Sequence, residues 1–401
     1  MVSRSVITEL ATETPTRILL LVMDGVGGLP HPDTGKTELE TAVTPNLDAL
    51  AARSACGLLD TVGPGITPGS GPGHFGLFGY DPVENLVGRG ILSALGVNFP
   101  VERTDVCVRG NFASADDQGR ITDRRAGRIS TELNQELVAE LSRISIPGVQ
   151  VFVLTEAQHR FVLVLRGEGL SDQISDTDPQ ATGVPALPAR ALVPEAERSA
   201  AVVNEFIRQA REILGSRHPA NHVLLRGFAK HPDMPTFAEV YKLKAAAVAV
   251  YPMYRGLGRL VGMDVLDAGH NIAEQIETIR RHWNDYTFFF LHYKYTDSTG
   301  EDGNFAAKVA AIEDLDKALP GVLALGTDVL AVAGDHSTPS VLKAHSWHPV
   351  PCLISSRYAI PDAVTRFTER ACAGGSLGRM PAVELMPLLL ANALKLAKFG
   401  A

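Results

Sequence analysis

Seven side chains, Asp24, Ser70, Asp297, Glu301, Asp335, His336 and His345, supply carboxylate, hydroxyl and imidazole groups from positions spread over more than 300 residues. Such a set acts together only if a fold gathers it. Hard oxygen donors with one or two imidazoles suit Mg2+ or Mn2+ and suit zinc less well. Taken singly, each aspartate has an ordinary explanation, because an aspartate after a strand commonly caps a turn or a helix. The weight of the set lies in its placement. Three apolar, β-rich runs, RILLLVMD, YTFFFLHYKYTD and VLAVAGDH, end at Asp24, at Asp297 and at Asp335 with His336. In open α/β sheets, functional groups collect beyond the carboxyl ends of the strands.

The elements between these strands follow from local pattern. TPNLDALAAR offers Thr44 as a helix N-cap and Pro45 at the first helical position, with Leu47, Leu50 and Ala51 on one face. Phe305, Val309, Ile312, Leu315 and Leu319 share the face of a second helix. Residues 61–90 are so dense in glycine and proline that they read as a shaped loop, the kind of segment that carries function. Between about 97 and 235 the texture changes to strands such as FVLVLRG, acidic and proline-rich loops, and the helical stretch AERSAAVVNEFIRQAREIL. This predicts a metal-binding domain over 1–96 and 236–401 with a substrate-binding domain inserted at 97–235. Two domains also suit a chain of 401 residues, since single cores stop growing at roughly 250–300 residues.

Composition narrows the partners. Lys and Arg number 37 against 45 Asp and Glu, a net charge of −8, so the chain offers no overall footprint for nucleic acid or an anionic membrane. An anionic substrate therefore needs a local basic pocket. Cys56, Cys107, Cys352 and Cys372 lie far apart without a CxxC pair, which points to a reducing cytoplasm. The apolar run at Ile18–Met23 is too short for a signal segment, and no stretch approaches a membrane span.

DGVGG, GKTELETAVTPNLDALA, PGSGPGHFGLFGYDP, GRGILSALG, NFAS with DRRAGRI, HYKYTDSTGEDG with KVAAIEDLD, and GDHSTPSVLKAHSWHPVPCL together resemble the archaeal-type cofactor-independent phosphoglycerate mutases of the alkaline phosphatase superfamily. The similarity runs over nearly the whole chain, in the family's order. It implies an α/β fold with an alkaline-phosphatase-like, mostly parallel central sheet flanked by helices and an inserted, smaller α+β domain. It also implies a two-metal site holding Mn2+ or Mg2+, with Zn2+ or Co2+ as alternatives. One metal would take Asp24, the Ser70 oxygen, Asp335 and His336, and the other Asp297, residue 301 and His345. The family's D-x-x-G-H becomes Asp297-Ser-Thr-Gly-Glu301 here, a carboxylate in place of an imidazole, which hardens that position. His348 stands where a mutase usually has an acidic residue, and its competing reading is a surface imidazole.

By the same resemblance Ser70 is the nucleophile, activated by metal coordination, with His74 donating to the phosphoryl group. Lys244 matches a lysine near that group, and Asp123 joins the catalytic set. A phosphorylated carboxylic acid needs cations at both ends, and Arg124, Arg125, Arg128, His159, Arg160 and Arg226 of the insertion are the substrate-binding candidates. The implied reaction is the interconversion of 3- and 2-phosphoglycerate through a phosphoserine, a step of glycolysis and gluconeogenesis, with the insertion excluding water. Homoserine kinase-type phosphotransfer and metal-dependent phosphatase activity are the alternatives. Oligomeric state is left open.

Overall fold

The computed structural model describes residues 2–400. They form two compact units, one ending at Leu86 and resuming at Met234, the other running from Val87 to Asp233. The sheet of the first unit has eight strands in the order Gly378–Pro381, Ala55–Asp60, Val350–Ser356, Val329–Ala333, Ile18–Met23, Phe288–Tyr293, Ala245–Val248, Asp264–Val265. Ile18–Met23 lies between Val329–Ala333 and Phe288–Tyr293 and is parallel to both. Val350–Ser356 runs antiparallel to its neighbours. Central strands covered on both faces are continuous apolar runs rather than alternating ones, and every residue of Ile18–Met23 and Phe288–Tyr293 is buried. Because the three middle strands are parallel and adjacent, Asp24, Lys294 and Asp335 leave the sheet at one edge.

The helices cover the faces. Pro45–Ala51 starts after Thr44 and buries Leu47, Leu50 and Ala51, as its pattern predicts. Phe305–Leu323 buries Ile312, Leu315 and Leu319, and with them Lys308 and Asp316. Asp316 accepts from the backbone N–H of Leu47 at 2.7 Å, tying the two helices together. Among the described residues no helix is long and apolar enough to cross a membrane.

Two segments depart from the sequence reading. Residues 61–90 contain a regular helix, Ser70–Leu77, where glycine density suggested only loop. Its glycines serve close approach: a Cβ on Gly73 would lie 2.2 Å from the Asp335 carbonyl oxygen, and one on Gly76 would lie 2.3 Å from that of Thr61. The run YTFFFLHYKYTD does not stay extended to Asp297. Its strand stops at Tyr293, where the apolar residues end, and the chain turns into the helix Tyr295–Glu301.

In the second unit Asp105–Ala115 is flanked by Arg160–Arg166 and His222–Ala229, antiparallel to both, with Gln150–Ala157 and Ile121–Asp123 completing a five-stranded sheet. Its core is filled from Thr131–Leu141 and Glu197–Leu214, whose buried faces include Leu137, Leu141, Val203 and Phe206. The division falls at 86/87 rather than 96/97 because the helix Arg89–Gly96 packs on this sheet, so closely that a Cβ on Gly90 would lie 2.2 Å from the Cys107 carbonyl oxygen.

Candidate active site

Beyond the carboxyl ends of the three middle strands the first unit gathers two overlapping groups of ligand atoms. Asp24, Asp335 and His336 form one, and Asp297, His336 and His345 the other. His336 Nε2 lies 3.3 Å from Asp24 Oδ1 and 3.2 Å from Asp335 Oδ2. His345 Nε2 lies 3.5 Å from Asp297 Oδ1, and its ring stacks on that of His336 with centroids 3.7 Å apart. Asp24 and Asp335 are both fully buried, their carboxylates facing the imidazoles of this cluster. Buried anionic oxygens converging with imidazoles suit a divalent cation, so the residues present fit the metals the sequence implies.

The proton positions support this. The single hydrogen of the Thr338 hydroxyl goes to Asp297 Oδ1 at 2.7 Å, because a carboxylate only accepts. The Thr338 hydroxyl oxygen lies 2.9 Å from His336 Nδ1 and, its own hydrogen being used, accepts from Nδ1–H. That fixes the tautomer and leaves the Nε2 lone pair facing the carboxylates, as a metal-binding imidazole requires. Burial, followed by the opposing pulls of Asp24 and His345, brings the His336 imidazole down to about 3, so it is neutral. Burial alone would raise the Asp24 carboxyl, but the Lys294 ammonium, followed by His292, holds it well below the usual carboxylate range.

Ser70 opens its helix, with Oγ 3.3 Å from His336 Nε2. The helix is held by His74, whose Nδ1 lies 2.7 Å from the Ser70 carbonyl oxygen and 3.2 Å from Asp335 Oδ2. His74 is fully buried. It therefore ties the start of the Ser70 helix to Asp335, where the sequence reading expected it to face a phosphoryl group. Lys244 is also placed elsewhere: it precedes the strand Ala245–Val248, at the sheet edge opposite the ligands, with its ammonium over the Tyr286 ring. The cation that does stand among the carboxylates is Lys294, 3.1 Å from Asp24 Oδ2 and paired with Asp297. Together with His292, 3.2 Å from Asp24 Oδ2, it was missed by the sequence reading. A histidine near the end of an apolar strand, with Lys294 directly after that strand, was the available signal.

Glu301 reaches this site from its rim. It follows Asp297 by one helical turn, lies 3.7 Å from His345 Nε2, and its side chain is 56% exposed. His336 takes the inner place by comparison. Glu301→Gln is accordingly expected to weaken Mn2+ binding by less than ~10-fold, and Asp297→Asn by ~10²-fold or more, both measured by titration followed by electron paramagnetic resonance. Equal losses would make Glu301 an inner ligand. His348 is not in either ligand group; its Nδ1 lies 3.0 Å from the Ser346 hydroxyl.

The second unit concentrates cations. His159 is buried, and its imidazole falls to about 4 through burial first and then the field of Arg160, Arg109, Arg125 and Arg128. Arg226 is disfavoured by burial, Arg89 and Arg124, and its buried Nε has no hydrogen-bond partner among the described residues. Guanidinium groups crowded in this way call for an anion. Arg124 is fixed side-on by Asp178, Nε to Oδ1 at 2.8 Å and Nη2 to Oδ2 at 2.7 Å, which leaves its Nη1 edge available to a second acceptor. Asp123 closes its own turn, accepting from the N–H groups of Arg125 and Gly127. Arg109 and Asp178 lacked any motif that marked them.

Residues 51–221 match the family model described as 2,3-bisphosphoglycerate-independent phosphoglycerate mutase. A Thermus thermophilus protein named "probable 2,3-bisphosphoglycerate-independent phosphoglycerate mutase" is 54% identical over 401 residues, covering 99% of each chain. The chain belongs to the 2,3-bisphosphoglycerate-independent phosphoglycerate mutase family. An Aquifex aeolicus member of the same name is 52% identical over 99% of this chain and 100% of its own. Among solved structures, the cofactor-independent phosphoglycerate mutase of Thermoplasma acidophilum is 32% identical, with a TM-score of 0.70 over 94% of this chain and all of the other. A Pyrococcus horikoshii protein of 29% identity superposes with a TM-score of 0.84 over 97% and 100%. The fold and the membership expected from the motifs thus stand.

Proposed function

We propose that this mutase-family chain interconverts 3- and 2-phosphoglycerate by passing the phosphoryl group through Ser70. The observation that carries the reading is the Ser70 hydroxyl held 3.3 Å from a neutral, tautomer-fixed His336 beside Asp24 and Asp335. Two divalent cations, Mn2+ or Mg2+ by the donor chemistry, would make the serine oxygen a better nucleophile and screen the transferring charge. Ser70 Oγ would lose its proton and form a bond to phosphorus as the bond to the substrate 3-oxygen breaks, that oxygen taking up a proton to leave as a hydroxyl. The 2-hydroxyl of the retained glycerate would then take the phosphoryl group back, restoring the serine. His74 holds the serine backbone in register, and Lys294 contributes a fixed positive charge beside Asp24 and Asp297. The arginines of the second unit are assigned the substrate carboxylate and phosphate, a role supported by their crowding and by the unpartnered Arg226 Nε. The reading includes a cytoplasmic location, which rests on four free cysteines.

The test is a coupled assay with 3-phosphoglycerate, with and without Mn2+, and with no 2,3-bisphosphoglycerate added; homoserine with ATP runs in parallel. Turnover only in the homoserine assay would overturn the reading. Replacing Arg124 and Arg125 by Ala is expected to lower mutase turnover by ~10²-fold through lost charge-assisted contacts. Hydrolysis of a simple phosphomonoester should fall far less, because it needs no grip on a carboxylate. A parallel loss of both rates would reassign these arginines to stability, a real contingency because Arg124 also neutralises the buried Asp178.

A further inference from the structure

The helix Phe305–Leu323 carries a lysine, Lys308, that is fully buried, and nothing in the proposed chemistry uses it. Its ammonium donates to the carbonyl oxygens of Gly25 at 2.8 Å, Gly27 at 2.9 Å and Thr338 at 2.7 Å. Three acceptors match the three hydrogens of an ammonium, whereas a neutral amine has two, so the geometry itself specifies the charged form. Burial opposes that charge, and Glu38 and Glu369 offset it. Glu38 is itself buried and is held by the Ser340 N–H at 2.8 Å and the Ser340 hydroxyl at 2.5 Å.

These carbonyls belong to the two loops that present the ligands. Gly25 and Gly27 follow Asp24, and Thr338 follows Asp335 and His336. The loops already touch: the Thr338 N–H lies 3.2 Å from the Gly25 oxygen and 3.0 Å from that of Gly27. Gly25 adopts φ +63°, and a Cβ there would lie 2.5 Å from the Thr338 hydroxyl oxygen. Thr338 in turn sets the His336 tautomer and donates to Asp297. One ammonium thus joins the loop bearing Asp24 to the loop bearing Asp335 and His336, without touching a ligand side chain.

We propose that Lys308 is a positioning residue for the metal centre, whose three hydrogen bonds set the spacing of Asp24 from Asp335 and His336. The proposal rests on the reading of these residues as metal ligands. The partners that orient metal ligands typically cost 10–100-fold in affinity when removed.

The experiment titrates the full chain with Mn2+, by electron paramagnetic resonance, in wild type, Lys308→Met and Lys308→Arg. Lys308→Met is expected to bind Mn2+ ~10–100-fold more weakly while keeping its circular dichroism, with turnover recovering substantially at saturating Mn2+. Lys308→Arg keeps the charge, but its planar fork of donors cannot converge on three carbonyls as an ammonium does, so an intermediate loss is expected. Wild-type affinity in either folded variant would overturn the proposal. Loss of the native circular dichroism in both would overturn it as well, because it would make Lys308 a residue of the domain core. Failure of the wild-type chain to bind Mn2+ would count against the metal-ligand reading instead, and the two failures are told apart in the same titration.

Discussion

Ser70→Ala is expected to lower phosphoglycerate mutase turnover by at least ~10³-fold, on the scale of losing a covalent nucleophile, and to abolish transfer of a radioactive phosphoryl group to the protein. Size argues for so large an effect with so small a change. Alanine fits the helix start, so His74 keeps its contact with the residue 70 carbonyl oxygen and with Asp335, and the ligand groups stay as they are. Only the oxygen 3.3 Å from His336 Nε2 disappears. Single-turnover labelling and steady-state assay on the same preparation check the prediction. Retained turnover without labelling would mean that phosphoryl transfer bypasses the serine.

The second large effect concerns metal. Chelation is expected to abolish turnover, and Mn2+ to restore it. Asp24→Asn should bind the metal so weakly that turnover at a Mn2+ concentration saturating for wild type falls by ~10²-fold or more. Asp24 is the sharpest position for this test because its carboxylate is fully buried, with Lys294, His292 and His336 all within 3.3 Å of its oxygens. Asparagine keeps the shape and removes the charge. Elemental analysis of both proteins beside the rate is the check, and an Asn variant with wild-type metal content and rate would remove Asp24 from the ligand set.

What could be read from the sequence follows physical range. Ile18–Met23 and Val329–Ala333 declare themselves because a strand buried on both faces must be apolar throughout, and the aspartates beyond them stand out by contrast. Thr44-Pro45 marks a helix start by local geometry alone. The helix Ser70–Leu77 was hidden because its glycines answer to tertiary approach, the Asp335 and Thr61 backbones lying against Gly73 and Gly76, and a composition rule sees such glycines only as breakers. His74 faced the same difficulty: spacing shows that it lies one turn after Ser70, not that Asp335 covers it. Motif position pointed to Lys244 and passed over Lys294, although Lys294 follows a strand's carboxyl end and Lys244 precedes an amino end. Glu301 was legible as a ligand-position change, but its place at the rim depends on His336 serving both groups.

The way the chain leaves the first unit at Leu86 and returns at Met234 constrains how the molecule is made. Ile18–Met23 is synthesised early, yet its two partners, Phe288–Tyr293 and Val329–Ala333, follow only after the whole second unit has been translated. At ~5–20 residues per second, an apolar strand that must end up in the middle of a sheet waits on the order of tens of seconds for its neighbours. The second unit closes its sheet entirely within Val87–Asp233. The nascent chain therefore carries a complete second unit and an unpaired central strand at the same time. The stretch that most needs protection during synthesis is the one that ends at Asp24.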